Sequence, residues 1–123
     1  MESIADVVPK IFHVNWFRLD ENGNFMWPGF GDNMRVLDWI LDRCEGSVEA
    51  QETAIGYLPY AKDINIENCD IDAATLDKLL EVDKKRWAAE AEEITNYYAE
   101  NFGDKMPKEI MANLEILKEN CAK

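Results

Sequence analysis

The sequence predicts an α+β fold, rich in helix, with an N-terminal β-hairpin and short strands. Three observations carry that prediction: alternating bulk over residues 10–17, the turn chemistry of Asp20-Glu21-Asn22-Gly23, and apolar spacings of three and four from Asn33 onward. At 123 residues the chain is long enough for a real core, and residues 1–123 read as a single domain fragment. A composition of 47% hydrophobic and 31% charged residues excludes a disordered tail. There is also no apolar run of the roughly 20 residues needed to cross a bilayer.

Charge narrows the partners. Twenty-five acidic against 13 basic residues give −12, which repels phosphate backbones and anionic lipid, so neither nucleic acid nor membrane is expected. A single nucleotide stays open, because local donors outweigh distant screened charge. Cys44, Cys69 and Cys121 are widely spaced, without C-x-x-C or a secretory signal, and read as reduced thiols of a cytoplasmic protein. With His13 as the only histidine, no tetrahedral metal set can be assembled from this segment.

The elements follow in order. Residues 10–17 place Phe12, Val14 and Trp16 on one face and Ile11, His13, Asn15 and Phe17 on the other. Bulk on both faces predicts an interior strand, with His13 a buried, hydrogen-bonded histidine rather than a general base. Residues 24–27 return as a short second strand. A two-residue Asn22-Gly23 turn would put Phe17 and Phe25 on opposite faces. A three-residue loop, Glu21 to Gly23 with Gly23 left-handed, would pair Asp20 with Asn24 and bring both rings to one face.

Helical spacing then takes over. Val36, Leu37, Ile40 and Leu41 form a stripe that stops at Gly46, with Asp32 as the expected N-cap and Asn33 in the first turn. Residues 53–58 read as one brief strand closed by Pro59. A polar loop leads to Asp72, the cap of a short helix carrying Leu76, Leu79 and Leu80. Asp83 caps a longer helix with Trp87, Ala91, Ile94, Tyr98 and Phe102 on one side, ending at Gly103. Pro107 opens the last helix, whose stripe is Ile110, Leu114 and Leu117.

Chemistry concentrates in one place. No phosphate loop, dinucleotide fingerprint, H-E-x-x-H or G-x-S-x-G occurs, and no catalytic residue or metal ligand is assigned. Residues 25–33, F-M-W-P-G-F-G-D-N, differ in being stiff as well as aromatic: Pro28 fixes its own angle and restricts Trp27, while Gly29 and Gly31 remove side chains where a ligand could lie. Rings on both faces of a base contribute on the order of 1–3 kcal/mol per contact. The Asn33 carboxamide and the backbone of Phe30 to Asp32 supply donors and acceptors for a base edge such as guanine's. The other reading of the same residues makes Phe25, Trp27 and Phe30 core plugs beneath a turn.

The residues Pro9-Lys10-Ile11-Phe12-His13-Val14-Asn15-Trp16-Phe17-Arg18, followed by Trp27-Pro28-Gly29-Phe30-Gly31-Asp32-Asn33, closely resemble the GTP-dependent phosphoenolpyruvate carboxykinase family. Both blocks occur at that family's spacing. The likeness continues more weakly through Ile55-Gly56-Tyr57-Leu58-Pro59 and the Trp87 helix. It implies the C-terminal segment of a longer decarboxylating lyase of gluconeogenesis, one that converts oxaloacetate and GTP to phosphoenolpyruvate, carbon dioxide and GDP. Mn2+, with Mg2+ accompanying the nucleotide, serves the intact enzyme, and the ligands of both lie upstream of this segment.

Carried over by residue, the resemblance implies nucleotide binding by Phe17, Phe25, Phe30, Gly31, Asp32 and Asn33, with Phe17 and Phe30 flanking guanine, Phe25 closing the pocket and Asn33 contacting the base. Asp32 stands where family members commonly have glutamate, and Leu19 and Met26 also vary. The implied partners are guanine nucleotide and the remainder of the parent enzyme, the latter a monomer. Separated from it, the segment is expected to be inactive and to expose an apolar face, including Ile11, His13 or the Val36 stripe, that favours self-association. The alternative from another class is a free-standing acidic interaction module whose aromatic loop receives a protein. Under the nucleotide reading, Phe17, Phe25, Phe30 and Asn33 surround one slot about 7 Å wide.

Overall fold

The computed structural model describes residues 8–123, which form two compact units: one comprises residues 8–50 with Pro59–Leu80, the other Gln51–Leu58 with Glu81–Lys123. The prediction of a helix-rich α+β fragment holds. Four helices and one two-stranded antiparallel sheet make up its regular structure among the described residues, besides three short 3₁₀ turns.

The first unit contains α1 (Asn33–Glu45) and α2 (Ala73–Leu80). Helix α1 ends because Gly46 N–H bonds the Arg43 carbonyl and Ser47 N–H bonds that of Asp42, the paired bonds of a Schellman stop. Helix α2 starts on Asp72, whose Oδ1 accepts the Thr75 N–H at 2.8 Å. That bond is the main cause holding the Asp72 carboxyl below its ordinary pKa. The core of this unit is Trp39, Ile64 and Leu76, with Phe12 meeting Trp39 edge-on at 6.2 Å.

Two expectations need correction here. Residues 10–17 keep the predicted alternation of burial but form no strand, since no described segment pairs with them, residues 24–27 give only an isolated Leu19–Phe25 bridge in place of the expected second strand, and the Ile11 and His13 face lies exposed. In this segment His13 is exposed rather than buried, on the face with Ile11 that separation from a parent was expected to uncover. In α1 the expected stripe is only partly covered, with Leu41 61% exposed, and the residue it buries is Trp39. The indole of Trp39 packs instead against Ile64 and Leu76 from outside the helix.

The second unit contains β1 (Gln51–Thr53), β2 (Gly56–Leu58), α3 (Lys84–Asn101) and α4 (Lys108–Ala122). Residues 53–58 are thus the turn and returning strand of a hairpin rather than one strand: Gln51 pairs with Leu58 and Thr53 with Gly56, and the Thr53 hydroxyl donates to the Gly56 carbonyl across the turn. Asp83 caps α3 as expected, accepting from the Lys85 and Arg86 amides. Helix α3 packs on α4 through Ala91, Leu114 and Cys121, and Lys118 of α4 reaches Glu92 of α3 at 3.2 Å. A residue as small as Ala91, wholly buried, lets the two backbones approach closely.

Candidate functional site

The aromatic loop belongs entirely to the first unit. Asp20 N–H bonds the Asn24 carbonyl at 2.8 Å, Gly23 N–H bonds the Asp20 carbonyl at 3.1 Å, and Leu19 bridges Phe25 in antiparallel fashion. This is the three-residue loop, with Gly23 at φ 79, a left-handed angle that favours glycine. Asp20 holds the turn from inside, its Oδ1 accepting the Asn22 and Asn24 amides at 2.8 and 2.9 Å. The Asn24 amide is the chief cause lowering this carboxyl's pKa.

That register brings Phe17 and Phe25 to one face. Their ring centroids lie 6.1 Å apart at 63°, an edge-to-face contact. Phe17 is set upstream by its own amide, which donates to Asn15 Oδ1 at 3.0 Å, and downstream by Arg18, whose guanidinium donates to the Leu79 carbonyl. Both rings are exposed, at 71% and 64%.

Past the hairpin the chain turns inward and then out again. Trp27 is buried and meets Trp16 at 6.1 Å. Gly29, at φ 123 and ψ −165, takes a backbone conformation that an L side chain would strain, and it launches the 3₁₀ turn Phe30–Asp32. Phe30 stands on that turn 93% exposed. Gly31 has no atom within 4 Å of where a Cβ would sit, so the space beside the turn is open.

Asp32 occupies the N-cap position of α1, but its side chain does not cap the helix. It instead accepts from Arg35 Nε at 2.8 Å, and the same guanidinium donates to the carbonyls of Asn65 and Glu67. Arg35 thereby ties the start of α1 to the 65–67 loop. The sequence reading missed this clamp, for which the spacing of three between Asp32 and Arg35 on a helix start was the available signal. Asn33, the first residue of α1, is half-buried and accepts the Trp27 indole N–H on its Oδ1 at 2.8 Å.

The structure therefore divides the aromatic segment. The indoles turn inward and the three phenylalanines face solvent, which removes Phe25 and Phe30 from the core-plug reading and leaves Trp27 to it. Phe17 and Phe25 are brought into contact, and Trp27 and Asn33 are joined by a hydrogen bond. Phe30 is held apart from other rings among the described residues, on a turn of its own. The segment offers exposed apolar rings and, on the start of α1, a fixed carboxamide, the two kinds of group that a planar ligand with polar edges requires. No group of three or more His, Cys, Asp or Glu side chains converges among the described residues. Cys44, Cys69 and Cys121 are all free thiols.

Residues 1–120 match the model of the phosphoenolpyruvate carboxykinase C-terminal P-loop domain. The chain belongs to the GTP-dependent phosphoenolpyruvate carboxykinase family. It is 47% identical over 112 residues to phosphoenolpyruvate carboxykinase [GTP] of Renibacterium salmoninarum, a stretch covering 91% of this chain and 18% of that relative. The Neocallimastix frontalis enzyme is 47% identical, with 91% and 18% covered, and the mitochondrial enzyme of Mus musculus 46%, with 90% and 17% covered. The chain thus spans less than a fifth of the carboxykinases it matches. A free-standing interaction module is not favoured by this match.

Proposed function

We propose that this segment recognises the guanine base in a longer GTP-dependent phosphoenolpyruvate carboxykinase, in which oxaloacetate and GTP yield phosphoenolpyruvate, carbon dioxide and GDP. What carries the reading is an exposed Phe17–Phe25 ring pair and a hydrogen-bonded Asn33 amide in one loop segment, in a chain matched to that family over residues 1–120. Phe17 and Phe30 supply the stacking faces, Phe25 closes one side, and Asn33 with the Gly31-Asp32 backbone meets the base edge. The two compact units belong to one domain of the parent.

In such a reaction this segment orients the nucleotide rather than moving its phosphoryl group. Holding the base anchors the reacting phosphates against a centre built elsewhere, and the entropy lost on binding is offset by ring contacts. Divalent metal ions bound in the parent enzyme would supply charge stabilisation to the reacting oxygens, and no residue of this segment is assigned to hold them. A reducing compartment, the cytoplasm, fits the three free thiols.

The test is a titration with GDP followed by tryptophan emission, since Trp27 bonds the residue that meets the base. A saturable change that Phe30→Ala and Asn33→Asp weaken supports the proposal. No change in a polypeptide that includes the upstream domain sinks it.

A further inference from the structure

We infer that Trp27 is a positioning residue that fixes which way round the Asn33 amide meets a base, and so sets the preference for a 6-oxo over a 6-amino purine. The inference rests on the guanine reading above and adds the residue that orients its reader. A carboxamide is nearly symmetric in shape, and a half-turn about its last torsion exchanges O and N. An indole N–H, by contrast, can only donate. The atom 2.8 Å from Trp27 Nε1 must therefore be Oδ1, because the turned amide would set two donors against each other.

Trp27 is itself held. It is only 6% exposed, lies against Trp16, and precedes Pro28, which restricts its backbone. With Oδ1 engaged, Asn33 keeps one lone pair on that oxygen and the two donors of Nδ2. A guanine or hypoxanthine edge offers a carbonyl at position 6 and an N–H at position 1, which match an amide presented this way. Adenine offers an amino group at 6 and a bare nitrogen at 1, so donor meets donor and acceptor meets acceptor. An amide free to turn over would serve either base, so the selection resides in the indole lock as much as in the asparagine.

The experiment measures GDP, IDP and ADP affinities in the full-length polypeptide that carries this segment, for wild type, Trp27→Phe, Asn33→Asp and the double variant. Trp27→Phe is expected to lower the GDP-to-ADP affinity ratio about tenfold, the scale on which one correctly matched polar contact discriminates. IDP should track GDP in every variant. Adding Trp27→Phe to Asn33→Asp should leave the ratio unmoved, because a carboxylate has no N and O to exchange. An equal loss for all three nucleotides on Trp27→Phe, with the ratio unchanged, assigns Trp27 to packing and overturns the inference. A wild type that binds none of them overturns the guanine reading first, and the selecting role with it.

Discussion

Phe17 and Phe25 meet with ring centroids 6.1 Å apart at 63°, while near the end of α3 Tyr97, Tyr98 and Phe102 meet at 6.2 to 6.3 Å and 54° to 72°. As ring contacts the two clusters are nearly interchangeable. They differ in what holds them and in what lies beside them. The helical cluster follows from spacings of one, four and five along one helix end, whereas the loop cluster depends on a three-residue turn, a left-handed Gly23 and the Asp20 carboxylate. The loop segment also leads into an amide with donors and an acceptor, fixed by an indole. Ring contact marks a surface, and an oriented polar group in the same segment marks a candidate site.

The largest expected effects separate stability from binding. Truncating the core of the first unit, Trp39→Ala or Leu76→Ala, should cost about 3–5 and 2–5 kcal/mol respectively, measured by denaturant unfolding, since these side chains are 5% and 3% exposed. Phe30→Ala, at 93% exposure, should change the same unfolding free energy by less than about 0.5 kcal/mol. A comparable loss from Phe30→Ala would mean that the ring packs in solution and is not available to a ligand.

Binding should invert that order. Phe17→Ala and Phe30→Ala should each weaken GDP by about 1–3 kcal/mol in the full-length polypeptide, read by tryptophan emission or calorimetry. Tyr97→Ala removes a ring of equal size from the other cluster and should leave GDP affinity unchanged. If Tyr97→Ala weakens GDP as much as Phe17→Ala does, the contrast between the clusters collapses.

How much of this was legible in the sequence depends on the range over which each feature is determined. The caps at Asp72 and Asp83, the Gly46 stop and the helices they bound were readable because each is fixed within a few residues. The hairpin register was readable only as a choice between two loops, and requiring Phe17 and Phe25 to share a face selected the one observed. What escaped were features set by distant partners. The burial of Trp39 depends on Ile64 and Leu76, and the Arg35 clamp depends on the carbonyls of Asn65 and Glu67. The exposed Ile11 and His13 face shows the same limit: periodicity gave the alternation of residues 10–17 but could not supply a strand to pair with them.

A middle-sized effect tests the local part of that account. Asp83→Ala removes the acceptor for the Lys85 and Arg86 amides at the start of α3 and should cost about 1 kcal/mol of unfolding free energy. Asp32→Ala should not act as a cap deletion, since its carboxylate bonds Arg35 rather than backbone amides. Helix content should therefore fall in the first variant and hold in the second.

The smallest effect concerns pH and bears on what keeps the loop cluster formed. The amides of Asn24 and Asn22 bond the ionised Asp20 carboxylate, so its folded pKa lies below the ordinary 3.8. A depressed folded pKa means that the carboxylate's contribution is fully present above the unfolded value, and is lost as pH falls from about 4 through the folded pKa. Acidification should therefore loosen the Glu21 to Gly23 loop and separate Phe17 from Phe25, whereas the Tyr97, Tyr98 and Phe102 contacts, which involve no carboxylate, should persist. Because Asp20 is exposed, the change should be a local one, seen in the Asn22 and Asn24 amide resonances rather than in global unfolding. Asp20→Asn should flatten that response while leaving the Asp72 titration at the start of α2 intact. An Asp20 carboxyl that titrates at or above its ordinary value would show that the turn does not depend on its charge, and the stiffness of the aromatic loop would then have to come from Gly23 and Pro28 alone.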